Sequence, residues 1–139
     1  MKYLVDTTVI SELIAGQPSP KVVAWIDQLD PGTIYLSVIT IGEICKGIEK
    51  LRASKRKDTI KDWLNTDLLI RFQGRIVEIS VETMLLWAVL VARLEGEGKP
   101  MGAIDSLIAA SALQGQFVLA TRNEDDFQNT GVTVINPWK

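Results

Sequence analysis

The chain has 139 residues, 47% of them apolar, with one cysteine, no histidine and a net charge of −2. That length ordinarily makes one domain with its own hydrophobic core, read here as residues 1–139. A lone Cys45 excludes an intrachain disulfide, the missing histidine excludes Ser-His-Asp and Cys-His triads and most zinc geometries, and the charge excludes a global basic field for nucleic acid.

Tyr3, Leu4 and Val5 form a short apolar run that stops at Asp6, Thr7 and Thr8, and they read as a buried strand. The carboxyl end of such a strand is the usual ligand position in an open α/β sheet. Asp and Thr are also good helix N-caps, so Asp6 carries both readings. Val9, Ile10, Leu13 and Ile14 make a helical stripe that stops near Gly16. Pro20 opens a second helix behind Ser19, with Val22, Val23, Trp25, Ile26 and Leu29 on its buried side. Thr33 to Leu36 is the second strand. Ser37 or Thr40 then caps a helix whose apolar face is Ile41, Ile44, Cys45, Ile48 and Leu51, with Glu43 beside that face. Cys45 is a small core residue there rather than a nucleophile.

From Lys46 to Lys61 the chain carries seven basic residues against two acidic ones, a net +5 that leaves the remainder at −7. Such a run is a solvated helical surface, or a surface for backbone phosphates. Helical signal resumes through Ile60, Trp63, Leu64 and Leu68, and Arg75 to Ile79 is the third strand. Val81 to Leu94 predicts a helix apolar around most of its circumference, read first as core and second as a dimer surface. Ile104, Leu107, Ile108, Ser111 and Ala112 mark another helix, with Asp105 in its first turn and its end near Gly115. Gln116 to Ala120 is a strand, Thr121 to Phe127 a polar elbow, and Val132 to Ile135 the last strand. Strands alternating with helices predict an α/β fold with a mostly parallel, helix-covered sheet. The longest apolar run, Met84 to Ala92, has nine residues, too few to span a bilayer, and no signal-like stretch opens the chain. The expected location is the cytoplasm, without a membrane partner.

Asp6, Glu43, Asp105 and either Asn123 or Asp126 fall at comparable places, each next to segments that enter the core. Carboxylates that converge at a sheet edge repel one another unless a cation neutralises them, and Mg²⁺ or Mn²⁺ does so with oxygen ligands. Each residue also has a plainer role: Asp105 as a helix-start residue, Asp126 as a turn cap, Asn123 as a turn residue at positive φ.

The segments Val5 to Ser11, Thr40 to Glu43, Gly102 to Ala110, Thr121 to Asn123 with Asp126-Phe127, and Asn136-Pro-Trp138 resemble, in order and from end to end, the PIN-domain ribonucleases, and among them the VapC-type toxins of toxin–antitoxin pairs. The resemblance implies a five-stranded parallel sheet in the order 3-2-1-4-5 with helices on both faces. It places Asp6, Glu43 and Asp105 at the family's three principal acidic positions, Asn123 at a fourth that is often Asp, and Asp126 at a nearby acidic one. Thr7 and Thr121 match supporting hydroxyl positions. The implied activity is Mg²⁺- or Mn²⁺-dependent endonucleolytic cleavage of structured RNA, tRNA or rRNA, that leaves a 5′-phosphate and a 3′-hydroxyl. Asp6 and Asp105 would hold the cation, with Glu43 on it directly or through water and Asn123 as a further ligand. Implied partners are a second copy of the chain, a VapB-like antitoxin, and operator DNA through that antitoxin.

Two departures stand out. Thr8 replaces a common Asn, so a pocket-organising hydrogen bond should differ, and Asn123 adds no charge. They motivate a rival reading, a PIN-fold binding module without turnover. A phosphatase with Asp6 as nucleophile is weaker, because Thr8 stands where such enzymes have a second acid. Lys46, Lys50, Lys55, Arg56 and Arg122 are the candidates for RNA backbone contact, with Arg122 alternatively pairing with Glu124 or Asp126.

Overall fold

A computed structural model describes residues 1–139. Five parallel strands form one sheet in the order β3-β2-β1-β4-β5. They are β1 (Tyr3–Val5), β2 (Ile34–Ser37), β3 (Ile76–Val77), β4 (Val118–Ala120) and β5 (Val134–Ile135). The helices are α1 (Thr7–Leu13), α2 (Pro20–Asp27), α3 (Val38–Glu49), α4 (Lys55–Trp63), α5 (Leu69–Arg71), α6 (Val81–Gly96) and α7 (Ala103–Gly115). A π turn, Leu64–Leu68, joins α4 to α5.

Side chains of a strand alternate between the two faces of the sheet, and the cores follow that alternation. Val5, Leu36 and Ala120 enter one core with Val9, Ile10, Val22, Ile44, Ile48 and Leu64. Leu4 and Leu119 enter the other with Leu90, Leu94, Ile108, Ala109 and Ala112. A parallel sheet covered on both faces requires strands apolar on both sides, and Leu4 and Val5, 1% and 0% exposed, meet that need.

The register determines where the polar residues go. Val5 lies opposite Leu36 on one side and Ala120 on the other. The next residues, Asp6, Ser37 and Thr121, therefore emerge together at the carboxyl ends of three adjacent strands. Ser37, not Thr40, caps α3, accepting from the Ile39 amide at 3.0 Å.

Several boundaries differ from the sequence reading. The third and last strands shrink to two residues each, because an edge strand of a twisted sheet pairs along one side only. The basic stretch is not one helix: α3 ends at Glu49, and α4 starts at Lys55 behind Ser54, whose hydroxyl accepts from the Lys57 amide at 3.2 Å. Gly115 is the last residue of α7, and the left-handed position that closes the helix is Gln116, at φ 55°. The reading of α6 as core holds for one face only. Thr83, Leu90 and Leu94 are buried, whereas Val81, Leu85 and Val89 are 74%, 65% and 67% exposed. α6 packs chiefly against α7 and can bury only the stripe that touches the core, so the remaining apolar residues face outward.

Candidate active site

Asp6 is both helix cap and site residue. Its Oδ1 accepts the Thr8 amide at 2.9 Å and the Val9 amide at 3.4 Å, which starts α1, and the side chain is buried at the mouth of the sheet. Burial pushes its carboxyl above the ordinary range, and the hydroxyls of Thr121 and Thr8 oppose that rise. Thr121 is itself fully buried, and its Oγ1 accepts the Asn123 amide at 3.1 Å. Glu43, on α3, is oriented by Thr7, whose hydroxyl donates to Oε1 at 2.6 Å across 36 residues of sequence. This bond brings the start of α1 and the middle of α3 to the same edge.

Asp105 stands in the first turn of α7, behind Gly102, which supplies no side-chain cap. Its carboxyl is raised first by burial, then by the charge of Asp126, then by Glu43 and Asp6. Asp105 therefore feels the charge of the other three, with Asp126 of the Glu124–Phe127 turn contributing most after burial. None of the four takes part in an ion pair.

The donor set is all oxygen, concentrated and uncompensated, which suits a hard divalent cation. No three of these carboxylates are arranged as a coordinating group. Asp6, Glu43, Asp105 and Asp126 are the residues that could hold the cation.

Asn123 is not the positive-φ turn residue of its plainer reading. It is exposed, with φ −95° rather than a positive value, and it lines an outer cleft with Arg122, Glu124 and Asp126. The left-handed residues are Gln116 and Asn129 instead.

Thr8 makes two hydrogen bonds through its side chain. Its hydroxyl donates to Asp6 Oδ1 and accepts the Arg122 amide at 3.1 Å, tying the end of β1 to the segment after β4. Arg122 pairs with neither Glu124 nor Asp126. Glu124 is held by Lys139, and the Arg122 guanidinium lies over the Trp138 ring, 5.1 Å from its centroid. Trp138 in turn donates from Nε1 to Glu12 at 2.9 Å. Sequence reasoning did not find Glu12, because nothing in its spacing signals a partner 126 residues away.

The basic residues divide. Lys57 donates to the carbonyls of Glu49 and Leu51 at 3.2 Å each, and Lys61 pairs with Glu49 at 2.9 Å, so both serve the end of α3. Lys46, Lys50, Lys55 and Arg56 are exposed and have no ion-pair partner.

The PIN-domain profile matches residues 3–132. The chain belongs to the PIN-domain family. This PIN domain is 36% identical to the VapC ribonuclease Y4jK of Sinorhizobium fredii over 136 residues, which cover 98% of this chain and 97% of that one. It superposes with a TM-score of 0.93 on the crystal structure of FitAcB from Neisseria gonorrhoeae, at 37% identity and 98% coverage of both chains. A structure of FitAB bound to an IR36 DNA fragment gives a TM-score of 0.94 at 36% identity, covering 99% of this chain and 96% of that one. No helix of this PIN domain is long and apolar enough to cross a membrane.

Proposed function

We propose that this PIN domain is a metal-dependent endoribonuclease, the toxin of a toxin–antitoxin pair, that cuts structured RNA such as tRNA or rRNA. The observation that carries the reading is that Asp6 and Glu43, linked through Thr7, and Asp105 and Asp126, which line one cleft, lie by the carboxyl edge of the sheet with none of the four ion-paired. The relative named a VapC ribonuclease supports it. A divalent cation bound there would offset charge on the phosphate and make a water more acidic.

The protein's own residues do the rest. Asp6, immobilised by the α1 amides and by Thr8, presents its carboxylate from a rigid strand end. Asp105 stands in the first turn of α7. Thr7 engages one oxygen of Glu43, which leaves the other to orient the attacking water and take its proton. Water adds to phosphorus, the bond to O3′ breaks, O3′ takes a proton from solvent, and the products are a 5′-phosphate and a 3′-hydroxyl. Asn123, which lines the outer cleft, would complete the ligand set through its carbonyl. The test is cleavage of a panel of tRNAs and rRNA fragments with Mg²⁺ or Mn²⁺ and with EDTA, followed by end-group analysis. Metal-dependent cuts with those ends support the reading, whereas 2′,3′-cyclic phosphates or binding without cutting contradict it.

Lys55 and Arg56 stand free at the start of α4 and would meet backbone phosphates. The double charge reversal Lys55→Glu/Arg56→Glu should weaken RNA binding by roughly tenfold and flatten its salt dependence by about two phosphate contacts. Titrations at several salt concentrations check this, and an unchanged affinity removes the patch from the site.

Val81, Leu85 and Val89 expose an apolar stripe along α6, which suits a second copy of the chain. Leu85→Glu/Val89→Glu should shift a dimer to monomer in sedimentation, and a wild-type chain already monomeric would refute this interface. On the opposite face of the sheet, a cavity of about 650 Å³ lined by Ile10, Leu13, Val23, Ile26, Trp63 and Phe72 would accept the amphipathic tail of a VapB-like antitoxin. The FitAB–DNA structure supports operator binding through that partner.

A further inference from the structure

Beside the carboxylates lies a second, differently built cleft of about 380 Å³. Thr7, Thr8, Ser11 and Glu12 of α1 form one wall, and Arg122 and Trp138 form the other. The volume falls in the range of small-molecule pockets, roughly 300–1,000 Å³. Thr7 bonds Glu43 and Thr8 bonds Asp6, so the cleft shares a wall with the acidic edge.

The Arg122 guanidinium makes no ion pair, and only its backbone is hydrogen-bonded, through the amide to Thr8 and the carbonyl from Asn136 at 3.4 Å. Its guanidinium carbon lies over the half-buried Trp138 ring instead, 5.1 Å from the centroid. Trp138 is anchored at two points, its amide to Asn136 Oδ1 at 3.0 Å and its Nε1 to Glu12 at 2.9 Å. The other Glu12 oxygen accepts the Ser19 amide at 3.3 Å, so the one acid in the cleft is already engaged. An exposed guanidinium beside an indole, with no side-chain partner of its own, offers a nucleobase a surface to stack on and phosphate a free donor.

We propose that Arg122 and Trp138 form a platform that receives an unpaired base of the RNA next to the phosphate being cut. This rests on the ribonuclease reading above. Arg122 and Trp138 are positioning residues, and they account for the clamp that Glu12 and Asn136 build around the last residues of the chain.

The experiment measures binding of a labelled oligoadenylate octamer and its abasic counterpart to the full chain carrying Asp105→Asn, which prevents cutting. The expected result is about tenfold tighter binding of the base-containing RNA. Arg122→Ala and Trp138→Leu should bind both RNAs alike, at the abasic level, while Trp138→Phe keeps an aromatic ring and most of the preference. A merely structural role would lower both affinities together and leave their ratio unchanged. Equal binding of the two RNAs by the parent chain, or a preference that survives Arg122→Ala, overturns the platform while leaving cleavage by the wild-type chain intact. Absence of both binding and metal-dependent cleavage overturns the platform and the ribonuclease reading together.

Discussion

Replacing Asp6 or Asp105 by asparagine should lower RNA cleavage by at least about 100-fold and leave the chain folded. Losing even a residue that orients a metal ligand typically costs 10- to 100-fold, and these two carboxylates are the proposed ligands themselves. Asparagine separates charge from architecture at position 6. Its carbonyl can still accept the Thr8 and Val9 amides, and it is as good an N-cap as aspartate. Asp6→Ala, by contrast, should also cost about 1 kcal/mol of stability through the lost cap. At position 105 no cap is at stake, because Gly102 occupies that place in α7. Cleavage of the RNA panel by each purified variant, with folding checked by circular dichroism, decides the matter. Wild-type rates in both variants would remove the acidic edge from the chemistry.

The second large effect is thermal. Without a cation, Asp6 and Asp105 oppose the fold, because burial acts against the charged form of both and neighbouring carboxylates act against that of Asp105. Adding Mg²⁺ or Mn²⁺ at about 100 times its Kd should stabilise the wild-type chain by about 2.7 kcal/mol, a rise in Tm of roughly 5–10 °C. Asp6→Asn/Asp105→Asn should melt higher than wild type in EDTA and gain little from the cation. The pH dependence has a definite sign. Asp6 and Asp105 have folded-state pKa values raised above their ordinary 3.8. Their contribution to stability is therefore fully present below pH 3.8 and is lost as pH rises through the higher folded values. In EDTA, this component should make the wild-type chain gain stability relative to the double variant as pH falls from neutrality. Calorimetry of both proteins with and without cation checks each point. Equal cation shifts in the two proteins would show that the ion binds elsewhere.

Both effects come from a site whose parts were unequally legible in the sequence. Tyr3-Leu-Val5 ending in Asp6 announced a strand with a polar mouth, because a strand buried on both faces must be apolar along its length and stops where it meets water. The same local chemistry marked Ser37, Pro20 and the start of α7. It also left each acid ambiguous, since a helix N-cap and a site carboxylate look alike in sequence. Asp6 proved to be both. The family resemblance ordered the acids, and the sheet order 3-2-1-4-5 follows it.

What the tertiary structure alone decided is which long-range partners each side chain finds. Thr7 meets Glu43, Thr8 links Asp6 to the Arg122 amide, and Trp138 reaches Glu12 near the opposite end of the chain. It also separated Lys57 and Lys61, which close the end of α3, from the free Lys55 and Arg56. Asp126 lines a cleft with Asp105 as well as the outer cleft, whereas Asn123 lines the outer cleft alone. On α6, packing buried Leu90 and Leu94 and left Leu85 and Val89 in solvent. The physical reason is common to all of these. Periodicity and capping are local and are written in neighbouring residues, but a hydrogen bond between distant segments depends on strand register and helix packing. In this chain those are set when Val5 aligns with Leu36 and Ala120.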